Sequence, residues 1–218
     1  MKRYFPFAII GAVFLIAISF TFYFSQWRKP HPTISYASGR PGAEPAHVLG
    51  STTARVSLEE FGDFECMPCF MLWPALKNLE KDLGQDLAVT FREHPLAMHP
   101  HAMDGARAAE AAGLQGHFWE MHDLLYLNRA KWLRSSDVHE SLKSFASQMG
   151  LDLAKFDRDM AGTEVAARLQ ADASRGESLK IDRTPAVFVN GRRVEFQADV
   201  EQGIRADIDL ALRKPKNP

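Results

Sequence analysis

Apolar and polar positions change their pattern four times along this chain. From Tyr4 to Phe24 there is no charged residue, and Ile, Phe, Ala, Val and Leu fill every side of the run. A helix of that length spans ~31 Å at about 1.5 Å per residue, close to the thickness of a bilayer's hydrocarbon core. The competing reading is a cleaved secretory signal, with an apolar region of ~7–15 residues before a small-x-small site. This run is longer and ends in Phe22-Tyr23-Phe24-Ser25-Gln26-Trp27, too bulky for cleavage. The expectation is an uncleaved anchor over residues 1–27, a single transmembrane helix. Residues 28–50 then bring Pro30, Pro32, Pro41 and Pro45 with Gly39, Gly42 and Gly50, a composition that predicts a flexible linker.

From residue 51 the periods of regular structure begin. Arg55–Phe61 reads as a strand interrupted by Glu59-Glu60, and Gly62-Asp63 ends it. After Pro68, Leu72, Leu76, Leu79 and Leu83 recur at helical spacing, Gly84 closes the helix, and Pro74 inside it predicts a kink. Leu87–Phe91 is a second strand. Helices are predicted over 102–114, 118–127, 136–149, 152–160 and 164–179, with Asp152 as an N-cap. Ala186–Val189 returns to strand, Asn190-Gly191 signals a hairpin into Arg193–Phe196, and 199–212 is a terminal amphipathic helix. Residues 51–213 amount to one domain, with 214–218 as a tail.

Charge divides at the linker. Residues 1–50 carry a formal +4, which leaves −5 for the remainder of a chain whose total is −1. An acidic domain gives no support to nucleic-acid binding. Lys2 and Arg3 precede the apolar run and Arg28 and Lys29 follow it, so the positive-inside rule leans towards a cytoplasmic N-terminus.

The chain has two cysteines, Cys66 and Cys69, in Glu65-Cys66-Met67-Pro68-Cys69. Such a pair is half of a zinc site or a redox couple. Zinc takes four ligands, usually with a second pair, and none exists here, so redox is favoured. Disulfide traffic belongs mainly to oxidising compartments, which supports a domain outside the cytoplasm; the alternative is a cytosolic-facing domain with a thioredoxin-type thiol pair. His94, His99 and His101 cluster, and His117 and His122 stand five apart, a poor spacing for shared ligation on one helix face. These are read as surface or packing histidines.

Three stretches carry a family resemblance. Leu58-Glu59-Glu60-Phe61-Gly62-Asp63-Phe64-Glu65-Cys66-Met67-Pro68-Cys69 resembles the active-site segment of DsbA-like thiol–disulfide oxidoreductases. Gly116-His117-Phe118-Trp119-Glu120-Met121-His122-Asp123-Leu124-Leu125 is similar to a segment of their helical insertion, and Thr184-Pro185-Ala186-Val187-Phe188-Val189-Asn190-Gly191 to their cis-proline strand and hairpin. The order strand–helix–strand, helices, strand–turn–strand, helix agrees with this. The resemblance implies an α/β thioredoxin fold with an α-helical insertion at about 96–180, preceded here by the transmembrane helix. It also implies a redox-active Cys66–Cys69 disulfide with no organic cofactor and no metal. Two departures stand out: Met67-Pro68 replaces the Pro-His of strongly oxidising members, and Arg183 stands where a small residue is common.

Roles follow residue by residue. Cys66 at a helix N-terminus is the exposed nucleophile, where unpaired N–H groups and the helix dipole lower a thiol pKa from about 8.5. Cys69, one turn on, is the buried resolving thiol. Pro68 presets φ early in the helix, and Met67 offers the thiolate no positive charge. Glu65 and Glu60 are near in sequence and oppose thiolate formation. Glu60 is either a buried proton relay to Cys69, as the resemblance implies, or a solvated strand carboxylate. In the resemblance the Thr184–Pro185 bond is cis and turns the Thr184 backbone towards Cys66, to pair with an extended substrate.

The expected protein is a single-pass oxidoreductase of the cytoplasmic (inner) membrane. It faces the periplasm or cell exterior and acts on cysteine-containing exported proteins, with a redox partner to reset the pair. Oxidase, reductase and isomerase directions all remain open. The alternatives are a non-catalytic peptide-binding or chaperone module and a Cys/His metallochaperone on the same fold.

Overall fold

The computed structural model describes residues 36–195 and 200–213. The apolar run at 4–24, the first part of the linker (28–35), residues 196–199 and the tail 214–218 lie outside them. Among the described residues no helix is long and apolar enough to cross a membrane.

The described strands form one five-stranded sheet in the order β1-β3-β2-β4-β5, from β1 (His47–Gly50), β2 (Val56–Gly62), β3 (Leu87–Glu93), β4 (Ala186–Val189) and β5 (Arg192–Arg193). β2 and β3 run parallel, joined through α1 (Met67–Leu83), while β1, β4 and β5 pair antiparallel to their neighbours. Every residue of β2 and β3 is buried, as for a sheet covered on both faces. Between β3 and β4 lie α2 (Ala102–Gly113), α3 (Phe118–Leu127), α4 (Arg129–Trp132), α5 (Val138–Gln148), α6 (Leu153–Met160) and α7 (Thr163–Ser178); α8 (Val200–Arg213) follows the hairpin. This is the thioredoxin-like α/β fold with a helical insertion.

Local chemistry explains the element ends. The Asp152 side chain accepts from the Lys155 N–H at 2.9 Å, and that of Asp137 from the Glu140 N–H at 3.0 Å, each capping a helix start. Asn190 and Gly191 both have positive φ, 48° and 76°, as a two-residue hairpin of this hand requires. The continuous Leu periodicity of α1 buries Leu72, Leu76 and Leu79 against Val56, Leu58, Val187, Val189, Ile204 and Ile208. Each such side chain contributes ~1.5–3 kcal/mol on full burial. The insertion packs Met121, Trp132, Phe145 and Phe156 into a second core that also takes in Phe64, Cys66, Cys69 and Phe91.

One stretch departs from its composition. The described part of the expected linker, 36–50, is bound to the domain, and its last four residues are strand β1 on the edge of β3. Two arginines hold it. Arg175 donates to the carbonyls of Arg40 (2.7 Å) and Ala37 (3.1 Å), and Arg92 to that of Ala43 (2.8 Å). Both guanidinium groups also lie over the Tyr36 ring, at 5.5 and 5.4 Å from its centroid. Proline and glycine thus mark a strap whose backbone carbonyls are satisfied by buried side chains instead of by a ladder.

Glu59 and Glu60 separate across the sheet because side chains alternate along β2. Glu59 faces α7, where Arg175 (2.7 Å to each oxygen) and Arg92 (3.0 Å) bind it. Arg92 also reaches Asp172 at 3.2 Å. Glu60 faces α1 and is 2% exposed, so the solvated alternative does not hold.

Candidate active site

The site forms where β2 ends and α1 begins. Cys66 is the N-cap of α1 with extended backbone, Pro68 lies in the first turn, and Cys69 is one turn inside. Both are free thiols here and both are buried, Cys66 at 4% and Cys69 at 0% exposure. Burial goes further than expected for the nucleophile, because the chain at Thr184 lies against it: Cys66 Sγ is 3.4 Å from the Thr184 carbonyl oxygen. The Thr184–Pro185 peptide bond is cis.

The surroundings push the two thiols apart. Hydrogen bonding with the Cys69 side chain, then with Thr184 and the Cys69 backbone, brings the Cys66 pKa down to about 6 against the opposing effects of burial and the Asp63 charge. The Thr184 hydroxyl is buried and makes no hydrogen bond; the contact to Cys66 runs through the Thr184 carbonyl. Burial, the Cys66 contact and the nearby Glu60 push the Cys69 thiol well above its ordinary value. Glu60 is raised to about 8, by burial first and by Cys66 second. An attacking thiolate at neutral pH, a resolving thiol that keeps its proton, and a buried acid beside it make up an arrangement for thiol–disulfide exchange.

Asp63 is the residue that sequence reasoning missed. It was read only as a strand breaker, yet its buried carboxylate accepts from the Glu65 N–H (2.8 Å) and the Leu96 N–H (2.9 Å) and pairs with His99 Nδ1 (2.8 Å). Its carbonyl accepts from the Cys66 N–H at 3.1 Å. One residue therefore fixes the nucleophile's backbone and ties the 94–101 loop to it. Glu65, expected to oppose the thiolate, is engaged elsewhere: its carboxylate accepts from the His101 N–H at 2.7 Å, and its carbonyl from Arg129. The signal available was Gly-Asp immediately before the cysteine segment, which has no period to reveal its partners.

Met67 (50%), Met71 (70%), Met98 (79%) and Met103 (44%) are among the exposed large hydrophobic residues. The first two lie on the opening turns of α1, Met98 in the loop fastened to Asp63 and Glu65, and Met103 at the start of α2. Among the described residues no group of three or more His, Cys, Asp or Glu is arranged to hold a metal ion.

A family model described as Thioredoxin matches residues 43–209. The chain belongs to the thioredoxin family. Among solved structures, a thioredoxin-like oxidoreductase from Silicibacter pomeroyi DSS-3 is 26% identical, covering 79% of this chain and 95% of its own, with a TM-score of 0.65. The oxidoreductase DsbA from Xylella fastidiosa shares the fold at 23% identity and a TM-score of 0.62, over 80% of this chain and 90% of its own. The DsbA-like form of the thioredoxin fold, expected from three motifs, is the one found. A relative of different name, the Na(+)/H(+) antiporter NhaA 1 of Mycolicibacterium gilvum (strain PYR-GCK), is 35% identical over 189 residues, which is 85% of this chain and 30% of the antiporter. The chain spans about a third or less of the curated relatives it matches.

Proposed function

We propose that this chain is a membrane-tethered thiol–disulfide oxidoreductase acting on cysteine-containing exported proteins. The observation that carries the reading is the divergence of its two thiols: Cys66, at the mouth of α1, is favoured as a thiolate, and Cys69, inside, is not. In the oxidising direction a substrate thiolate attacks Cys66 of the Cys66–Cys69 disulfide. Cys69 leaves and takes a proton from Glu60. The substrate's second thiolate then attacks the mixed disulfide, and the enzyme departs reduced. In the reducing direction the Cys66 thiolate attacks a substrate disulfide, and Cys69, deprotonated by Glu60, resolves the intermediate. Thr184 and Pro185 form the edge along which an extended substrate chain pairs, with the methionine rim taking its apolar side chains. A redox partner resets the pair.

Tethering is supported by the uncharged run at 4–24 and by Lys2 and Arg3 before it, which favour a single-pass protein of the cytoplasmic membrane with the domain on the periplasmic or outer side. The likeness to proteins named as antiporters is consistent with a membrane setting.

The test is the reduction potential of the pair in the full chain, equilibrated against glutathione. A Cys66 pKa of about 6 lies between those of thioredoxin and DsbA. The expected potential therefore falls between about −270 and about −120 mV, and its position in that range decides between reductase and oxidase. Absence of any reversible disulfide would overturn the reading.

A further inference from the structure

Glu60, the buried acid beside the cysteine pair, also lines an opening that neither cysteine lines. A narrow cleft of about 20 Å³ runs between α1 and α3 down to the sheet, and Glu60 and Val89 lie at its inner end. Trp119 and His122 line it on α3, and Lys77, Glu80 and Asp123 surround its outer end, their side chains 35–42% exposed. That volume admits about one water, which needs polar partners. Three are present. The Glu60 carboxyl is one, the Trp119 Nε1–H, buried without a hydrogen-bond partner, is another, and His122 is the third.

His122 is held as a relay group is held. Its ring is packed among Phe64, Phe91, Trp119 and Tyr126 at centroid distances of 4.9–5.6 Å, with Nδ1 3.0 Å from Asp123 Oδ1. A carboxylate on Nδ1 keeps the proton there and leaves Nε2 as the acceptor. Asp123 is itself fixed, by the Trp73 Nε1–H at 2.9 Å and by Lys77 at 3.2 Å.

We propose that this cleft is the proton exit of the cysteine pair, in which Glu60 hands its proton to a water in the cleft and His122, positioned by Asp123, passes it to solvent. The proposal rests on the oxidoreductase reading. When Cys69 resolves a mixed disulfide, its S–H proton goes to the Glu60 carboxylate and its sulfur attacks Cys66. The Cys66–substrate bond breaks, the Cys66–Cys69 bond forms, and the substrate leaves as a thiolate with the electron pair. Glu60 must then lose that proton before it can act again. With substrate lying against Thr184 the route past Cys66 is covered, whereas the cleft stays open.

Burial holds the Glu60 proton up to a pH of about 8, so at neutral pH that proton must leave through the cleft before the carboxylate can take the one from Cys69. Burial also lowers the pKa of His122, so its ring is neutral and gives up readily any proton it takes. The charged and titratable groups around this path are Cys66, Cys69, Lys77 and Glu80 on or at the start of α1, Asp123 and Tyr126 on α3, Asp63 before α1, and Glu93 at the end of β3.

The test uses the full chain with His122→Phe, which keeps an aromatic ring in the cage, and separately Leu49→Phe, which narrows the cleft and leaves His122 in place. Reduced protein is mixed with the disulfide of 2-nitro-5-thiobenzoate, and release of the second chromophore times the attack of Cys69 on the Cys66 mixed disulfide. Both variants are expected to slow that release about tenfold between pH 6 and 8, with the loss shrinking above pH 8. The Cys66 thiolate titration should be unchanged, which a merely structural defect would not allow. Wild-type release rates and pH profiles in folded variants would sink the proton route alone. If His122→Phe does not fold, Leu49→Phe decides. Failure of the wild-type chain to form any mixed disulfide would sink the oxidoreductase reading itself.

Discussion

Glu59 and Glu60 are consecutive residues, each 2% exposed, yet they meet different chemistry on the two faces of one strand. On the α7 face Glu59 is bound by two guanidinium groups that also hold Asp172 and the 36–46 strap. On the α1 face no cation among the described residues pairs with the Glu60 carboxyl, and burial and Cys66 raise it to about 8. The same residue type at the same depth is a structural clamp where its charge is matched and, in the mechanism proposed above, a proton carrier where it is not. A strand's alternation lets one chain keep both within a single peptide unit of each other.

The largest effect expected from this contrast is on the pH dependence of stability. Unfolded Glu60 titrates near its ordinary value of 4.5 and the folded, reduced protein near 8. Between these pH values the folded state holds a proton that the unfolded state has lost, so its stability falls as pH rises, by on the order of 5 kcal/mol in all. Denaturant titrations of reduced Glu60→Gln at pH 5 and pH 9 should show that loss largely removed. An unchanged slope would mean that Glu60 has a partner in solution. Next, Glu59→Ala leaves two buried guanidinium groups short of a counter-charge and should cost ~3–5 kcal/mol at pH 7. A change below about 1 kcal/mol would erase the contrast.

Rates should divide the other way. Glu60→Gln is expected to slow Cys69-dependent resolution about 100-fold, within the range for general acid–base groups, while Glu59 variants that remain folded resolve at the wild-type rate. The smallest effect belongs to Cys66. Its thiolate absorbance should titrate near pH 6 and stay there in Glu59→Gln, since that carboxylate lies across the sheet. A midpoint below about 4 in the wild type would show that the Met67-Pro68 pair stabilises the thiolate as strongly as Pro-His does.

Much of this was legible in the residues. Leucine spacing marked α1, Asn190-Gly191 marked the hairpin, and the alternation of β2 already placed Glu59 and Glu60 on opposite faces. What the alternation could not show was which face would supply arginines, because Arg92 and Arg175 are 33 and 116 positions away from Glu59. β1 was hidden for a related reason. Its four residues follow a Pro- and Gly-rich stretch, and they become a strand only because β3 offers an edge and buried arginines hold the segment before it. Thr184 was found by resemblance alone, and Asp63 not at all: its bonds are to two backbone N–H groups and to a histidine 36 positions away, which leave no mark on composition or period.

The methionines around Cys66 tie the reach of the site to its medium. Unbranched thioethers can reshape to fit many chains, which suits a protein meeting unlike partners. Peroxide converts such exposed thioethers to sulfoxides, which are stiffer in their demands and polar. Where peroxide is present it therefore acts first on Met71 and Met98, at 70% and 79% exposure. The breadth of sequences the rim accepts would shrink with accumulated oxidative damage, even while both cysteines stay intact.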